Sequence, residues 1–485
     1  MKRTLLAWVT VWLLALACLP GAAAAKTPAV KPISLGPSGL TLNGPWRFST
    51  GDDSSWSDPA LNDSKWETVD LTAPPGSHDG DVGFKNYAPG WGARGHKGYA
   101  GVAWYRVKVT VAADPKTPLA IAGPAVVDGS YQLFVDGEAV GGSGDFSAGR
   151  PATHSNQPRL FQIAPAIAPA AKPSKRRTIN IALRVWTPPE FAVGAGGGVR
   201  VAPVLGRLDS VREIVRDQWM QVFEGYIVDA VLAFGLLVLA AMAAGLMLAR
   251  PEDPAYRWMA IALALTALMR DNQCLYAWTQ AESLATYGIV RYVLLTPLAL
   301  GAWVQAWRFW LGGKKAPVDL AVAGVTGLLM AASLGGLPWF GTDGSTHGAF
   351  HLAETVLRIF LAALYVLAVA TGVWRARNLA SAFAAGVAAI AAVGLFADEL
   401  TQLGVKGIWF PYGVGVSRTQ YAYAVLIPAM FALILQRFVA LTREAPAAAP
   451  PVDLWGAPPK HDPDAAPKRF RRRQAGQNPD ARPAT

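Results

Sequence analysis

VFEGYIVDAVLAFGLLVLAAMAAGLMLA, residues 222–249, has Glu224 and Asp229 as its only charged side chains. An α-helix needs about 20 apolar residues to cross a hydrocarbon core about 30 Å thick. This run exceeds that length and predicts a transmembrane helix. Working outward, six more runs of comparable character follow, at 255–276, 286–310, 317–339, 351–374, 378–399 and 418–441. The C-terminal half therefore reads as an all-α bundle of seven transmembrane helices over 222–441.

The loops between these runs alternate in basic content. Arg250 and Arg257 follow the first run, Arg308, Lys314 and Lys315 the third, Arg375 and Arg377 the fifth, and Arg437 and Arg443 close the seventh. Segments 277–287 and 340–350 contain no Lys or Arg, and 400–417 has only Lys406. The bias predicts that the basic loops are cytoplasmic. The other end of the chain agrees: Lys2 and Arg3, an apolar stretch over 5–19 and the small residues Ala22 to Ala25 have the order of a cleaved signal peptide, residues 1–25. The expected location is a bacterial inner membrane, with residues 26–208 in the periplasm and a basic tail, 442–485, in the cytoplasm.

The formal net charge of +11 over 485 residues follows from this topology. The basic residues are scattered rather than gathered on one stripe, which argues against a nucleic-acid partner. Cys18 falls in the leader and Cys274 in a membrane run, so the exported domain has neither a disulfide nor a thiolate metal site.

Within the domain 26–208, residues 33–206 read as short strands between Gly, Pro, Asp and Asn turns, with candidates at 46–49, 103–111, 119–122, 130–135, 178–185 and 199–204. Period-two alternation is plain in Trp104-Tyr105-Arg106-Val107-Lys108-Val109 and in Ile179-Asn180-Ile181-Ala182-Leu183-Arg184. Asp136-Gly137 between two apolar pairs is a hairpin signal. The domain is thus expected to be an all-β jelly-roll sandwich, with Trp46, Trp66, Trp104 and Tyr105 in its core. Ser210-Val211-Arg212-Glu213 has the capping-box form, which predicts a helical linker over 209–221 running into the first membrane helix.

Four motifs occur in one order: Leu42-Asn43-Gly44-Pro45-Trp46-Arg47-Phe48, Trp56-Ser57-Asp58-Pro59 with Asp63-Ser64-Lys65-Trp66, Gly101-Val102-Ala103-Trp104-Tyr105-Arg106, and Tyr131-Gln132-Leu133-Phe134-Val135-Asp136-Gly137. This order resembles the galactose-binding-like jelly roll at the front of family 2 glycoside hydrolases. There the module is an accessory to a catalytic barrel for which this chain has no room, so the resemblance implies no glycosidase and no enzyme. A jelly roll joined to seven helices also resembles the bacterial 7TM receptors with diverse intracellular signalling modules. Those proteins end in a cytoplasmic effector module; here about 44 residues follow Leu441, including Lys468-Arg469-Phe470-Arg471-Arg472-Arg473. A separate cytoplasmic effector protein is the implied partner, and the basic cluster is suited to anionic lipid.

Two groups of residues are candidate sites. The Gly-rich loop 75–101 carries His78, Asp79, Asp81, Lys85, Asn86, Tyr87, Trp91, Arg94, His96 and Lys97. An aromatic face beside hydrogen-bonding groups suits a carbohydrate-like or other small ligand, and the alternative is a loop solvated or docked on the bundle. Arg150, His154 and Asn156 are second-rank candidates. The other group is a polar network within the membrane runs: Asp229, Arg270, Asp271, Asn272, Arg291, Glu354, Arg358, Asp398, Glu399 and Arg418. Such groups face a bundle interior or a water-filled cavity, and the predicted topology puts all of them toward the periplasmic side.

His347 and His351 are four apart, with Glu354 nearby, but the set lacks the further ligand of a metallohydrolase. No metal, cofactor or catalytic constellation is expected. The leading expectation is a receptor-like sensor of a small molecule or glycan that signals through its effector. A non-signalling binding or assembly component of an envelope complex and a transporter are the alternatives.

Overall fold

The computed structural model describes residues 33–36, 38–112, 117–147, 151–164, 176–313, 317–337, 344–408 and 417–444. The expected signal peptide, Arg150 and the basic cluster at 468–473 lie outside the described residues, as does the side chain of His347. The chain divides into two units at Leu435, and the described part of the second, 436–444, is helical. The first unit holds a β-domain followed by helices.

Thirteen strands are described: β1 (Ile33–Ser34), β2 (Leu40–Thr41), β3 (Trp46–Thr50), β4 (Glu67–Val69), β5 (Gly101–Ala112), β6 (Leu119–Ala122), β7 (Val127–Asp128), β8 (Ser130–Val135), β9 (Glu138–Ser143), β10 (Leu160–Ile163), β11 (Arg176–Thr187), β12 (Gly198–Val199) and β13 (Val204–Arg207). One sheet runs β4-β3-β5-β11-β8-β9, with β1 added parallel to β5, and a second runs β10-β6-β13-β2. The spine of the first sheet is the antiparallel β5–β11 pair, in register from Gly101↔Thr187 to Ala112↔Arg176.

Alternate residues of these strands point between the sheets. Phe48, Tyr105, Val109, Ile179, Ile181, Leu183 and Val185 meet Ile121, Phe161, Ile163 and Leu205 in one apolar core. At Asp136-Gly137 both residues take left-handed φ, 51° and 92°, as a two-residue hairpin with matching twist requires.

Trp104 and Arg106 lie on the other face of β5 and are buried there by segment 52–66. Trp104 stacks on Phe134 and donates to Asp52 at 3.2 Å, while Arg106 binds Asp63 at 2.9 Å and the Asp58 carbonyl at 2.8 Å. Trp104 is therefore buried, but outside the inter-sheet core that holds Trp46 and Tyr105. Trp66 is half-buried against Trp56. The strand expected over 199–204 instead ends at Val199, and β13 begins at Val204.

Helix α1 (Leu208–Ala249) starts directly after β13 and runs unbroken for 42 residues, about 63 Å at 1.5 Å per residue. It begins before the expected capping box: Arg207 is the N-cap residue, with no side-chain bond, and Ser210 lies inside the first turn. The Leu208 amide donates to the Pro118 carbonyl at 3.0 Å, which continues the strand contact into the helix. Val211, Ile214 and Val215 then pack on Ala120, Ala122 and Leu160, so the first turns of α1 lie against the second sheet.

Seven further helices follow: α2 (Pro254–Trp278), α3 (Leu284–Trp310), α4 (Val318–Gly335), α5 (Gly344–Ala376), α6 (Leu379–Leu395), the short α7 (Ala397–Gln402) and α8 (Arg418–Glu444). Within α3, Ile289–Leu295 is a π-helical turn. Pro297 lacks the N–H that the Val293 carbonyl would accept, and the turn before it widens.

Among the described residues, five helices are long and apolar enough to cross a membrane: Leu208–Ala249, Leu284–Trp310, Val318–Gly335, Gly348–Ala376 and Arg418–Arg443. α6 is apolar but 17 residues long, and α2 carries Arg257, Arg270 and Asp271. The protein is thus a β-domain followed by a helical part of membrane character.

Candidate functional site beneath the β-domain

Five residues of the expected polar network, Asp229, Arg270, Arg291, Arg358 and Asp398, line a cavity of about 250 Å³. α1 brings Tyr226 and Asp229 to it, α2 Arg270 and Gln273, α3 Arg291 and Tyr292, α5 Arg358, α7 Asp398 and α8 Gln420. One wall comes from the β-domain, through Asp81 of loop 75–101. The helix ends gathered here are those that the loop charges assign to a common side.

Buried charge at this depth is stable only when paired and hydrogen-bonded. Asp229 is 5% exposed; its two oxygens accept from Arg270 Nη1 at 3.0 Å and from Gln420 Nε2 at 2.9 Å. The Arg270 guanidinium also lies over the Tyr423 ring, 4.6 Å from its centroid. A second cluster joins Arg358 to Glu399, at 3.1 Å from Nη2, and to Asp398 at 3.3 Å. Arg291 donates to the Met269 carbonyl at 2.9 Å.

Loop 75–101 reaches the bundle because Asp79 folds it into a tight turn. The Asp79 carboxylate, 7% exposed, accepts the amides of Asp81 and Val82 at 2.8 Å each, and that of Phe84. The turn then docks on α1: Phe84 packs with Val222 and Trp219, Gln221 Nε2 donates to the Val82 carbonyl at 2.8 Å, and the Tyr226 hydroxyl donates to Asp81. Gly225 makes room, since a Cβ there would stand 2.5 Å from Val82 Cγ1.

A second strip docks beside it. The Leu284 amide donates to the Thr153 carbonyl at 2.7 Å, and Gln280 Nε2 donates to the Ser155 carbonyl at 2.9 Å. Crowding by the surrounding protein pushes the Asp81 carboxyl up from its ordinary value. The Asp79 and Asp229 charges add to that rise, against the pull of the Tyr226 hydroxyl.

The loop candidates separate accordingly. Asp81 lines the cavity, and Asp79 shapes the turn that presents it. Trp91, expected as an aromatic face for a ligand, is 2% exposed within the sandwich core, where its indole donates to the Tyr99 carbonyl at 3.1 Å. It has no free face, and that expectation is corrected. Tyr87 stacks under Arg200 at 4.3 Å, and Arg200 pairs with Asp128 at 2.6 Å. His96 binds Glu67 at 3.0 Å and packs on Phe48. His78 contacts the Asp79 carbonyl at 2.9 Å. Asn86 is exposed at a left-handed φ of 60°, and Arg94 is half-buried, its guanidinium pKa lowered by burial. His154 and Asn156 lie in the second docking strip, where Asn156 Nδ2 donates to the Val127 carbonyl at 2.6 Å.

Of the network candidates, Asp229, Arg270, Arg291, Arg358 and Asp398 line the cavity, and Glu399 joins through Arg358. Asp271, Glu354 and Arg418 do not line it. Arg418 donates to the Lys406 carbonyl at 3.2 Å, and Glu354 lies 3.7 Å from His351. Among the described residues no group of three or more His, Cys, Asp or Glu is placed to hold a metal ion.

Sequence reasoning missed Tyr226, Gln273, Tyr287, Tyr292, Gln420 and Tyr423. A signal existed: Tyr226/Asp229, Arg270/Gln273 and Gln420/Tyr423 are each three apart, the spacing of one helix face.

No protein-family model matches the chain, and no curated protein matches it. Among solved structures it is similar to Bacteroides uniformis beta-glucuronidase 2 covalently bound to cyclophellitol-6-carboxylate aziridine, at 19% identity over 34% of this chain and 17% of that one, with a TM-score of 0.25. A beta-glycosidase from Bacteroides vulgatus matches at 19% identity over 34% of this chain and 20% of that one, with a TM-score of 0.23. For Ruminococcus gnavus beta-glucuronidase the figures are 12%, 30%, 21% and 0.19. The chain spans about a fifth of the length of these structures, and likeness at this level carries nothing about activity.

Proposed function

We propose that this chain is a receptor-like sensor of the bacterial inner membrane, with the β-domain on the periplasmic side and the helices relaying ligand binding to a separate cytoplasmic effector. In this reading α2 and α6 join the five longer helices to make seven spans. Arg257 lies at the basic end of α2, and Arg270 and Asp271 lie at its cavity end. The protein binds rather than catalyses.

The observation that carries the proposal is the shared cavity: Asp81 of the β-domain and Tyr226, Asp229, Arg270 and Gln420 of the helices face one polar space. A small ligand there touches both parts at once. It can therefore bind two docking states unequally, which is the condition for a signal. The continuous helix from β13 into the bundle supplies a stiff connection between the parts.

A non-signalling envelope component is the second reading. It is favoured by the docking of loop 75–101, which commits Asp79 and Phe84 to structural contacts.

Hydrogen exchange on the full chain in lipid nanodiscs separates the two readings. The ligand panel would contain sugars, envelope glycan fragments and small carboxylates. A sensor gives saturable changes both at 79–87 and at the far helix ends near Arg308 and Arg375. Protection confined to the cavity supports the non-signalling component, and no response across the panel overturns the proposal.

A further inference from the structure

We infer that the cavity beneath the β-domain takes a small anion, a carboxylate or phosphate group carried on a hydroxylated molecule, with Arg291 as its principal contact. The inference rests on reading this cavity as the ligand site, and it adds the chemical class.

Three guanidinium groups line the cavity. Arg270 is matched by Asp229 at 3.0 Å, and Arg358 by Glu399 and Asp398. Arg291 differs: it gives one hydrogen bond to the Met269 carbonyl and, among the described residues, has no carboxylate within salt-bridge distance. A guanidinium has five N–H donors, so most of the donors of Arg291 remain for a ligand. A carboxylate or phosphate accepts two of them in parallel, the strongest pairing available to Arg.

The backbone supports the same assignment. Arg291 sits within the π-helical turn Ile289–Leu295, where its carbonyl accepts the Thr296 amide and also the Thr296 hydroxyl at 2.7 Å. Widened turns of this kind recur at functional sites because they displace side chains from regular helical positions. Here the turn brings Arg291 and Tyr292 to the cavity wall together.

Asp81 is the remaining acidic group without an Arg partner, and it is already engaged by the Tyr226 hydroxyl. The rest of the lining is uncharged; alongside apolar groups such as Met269 and Leu395 it offers Gln273, Tyr287 and Tyr292, which suit hydroxyl groups on the same ligand. A cavity of about 250 Å³ admits a molecule of sugar-acid size. An anionic lipid headgroup offers the same chemistry from the membrane side.

The test is thermal unfolding of the full chain in nanodiscs of phosphatidylcholine alone, titrated with gluconate, glucose and inorganic phosphate. The titration is repeated with phosphatidylglycerol in the discs and no added solute. Arg291→Gln, Arg291→Lys and the distant, exposed Arg257→Gln are compared with the unaltered chain. Saturable stabilisation by gluconate or phosphate but not by glucose is expected. It should weaken about tenfold or more in Arg291→Gln, in part in Arg291→Lys, and not in Arg257→Gln.

Stabilisation by phosphatidylglycerol alone, lost in Arg291→Gln, assigns the anion to a lipid headgroup. Equal responses to gluconate and glucose, independent of Arg291, overturn the anion inference and leave the sensor reading standing. No response to any of these overturns the anion inference, and the wider hydrogen-exchange panel then decides the sensor reading by itself. If Arg291→Gln does not fold, the gluconate-against-glucose contrast on the unaltered chain, with Arg291→Lys, decides the matter.

Discussion

The Tyr226 hydroxyl, about five turns into the helix that leaves the sandwich, donates to the carboxylate of Asp81 on the sandwich's own loop. The two residues are 145 positions apart in the sequence. Their contact joins the β-domain to the helical wall of the polar cavity, beside the Gln221–Val82 bond and the packing of Phe84.

Tyr226→Phe keeps the ring in its apolar setting and removes the bond. The expected cost is about 1 kcal/mol, felt locally. Hydrogen exchange should rise across 79–85 and stay unchanged in β5 and β11. Unchanged exchange at 79–85 would show that Phe84 and Val82 hold the loop without help from the hydroxyl.

Docking should depend on pH through Asp81. Its carboxyl is pushed up in the folded protein by crowding and by the Asp79 and Asp229 charges. A raised carboxylate favours the proton in the docked state. Its contribution to docking is therefore fully present below the ordinary carboxylate value and is lost as pH rises through the raised one. Loop exchange should quicken over that interval, and Asp81→Asn should flatten the profile. A profile identical in the variant assigns the dependence to another group.

Asp229→Ala should be the most damaging single change in the bundle. It leaves the Arg270 guanidinium and the Gln420 amide buried without their shared acceptor. Loss of one partner of a buried pair costs about 3–5 kcal/mol, visible as a lowered Tm of the full chain in detergent. Asp229→Ala combined with Arg270→Met should recover part of that loss. If the double variant were less stable than Asp229→Ala, the pairing account would be wrong.

Gly225→Leu tests the docked geometry. Any Cβ at this position meets the Val82 side chain, and a larger group has no space. The loop should detach while the sandwich keeps its own Tm, with exchange at 79–87 rising more than in Tyr226→Phe. Crystallographic or hydrogen-exchange data with the loop still seated would exclude this arrangement.

Trp91→Ala should lower the stability of the sandwich by about 3–5 kcal/mol, because the ring packs against Phe48 and Tyr99 in the core. A variant of ordinary stability with impaired ligand binding would restore Trp91 to a binding role.

Strand positions such as Ile179, Ile181 and Leu183 were legible because a period of two assigns one face to the core without reference to the rest of the chain. The apolar run over 222–249 was legible for a similar reason, since a membrane asks for length and composition alone. Trp91 was not. It lies in a glycine-rich loop with no period, and its burial follows from a turn that inserts the ring between the sheets. Ser210–Glu213 fitted a capping pattern, yet the helix began at Leu208 because β13 and Pro118 already held the backbone there.

The sequence by itself determined the kinds of element, the division into a β-rich half and a helical half, and which polar residues would be costly in an apolar setting. Only the tertiary structure decided their partners: Arg270 with Asp229, Arg358 with Glu399, Tyr226 with Asp81, and Arg291 with a backbone carbonyl. Local pattern reports what a residue requires, a dry face or a paired charge. Which group meets that requirement depends on contacts between residues far apart in the chain, and no local period encodes them.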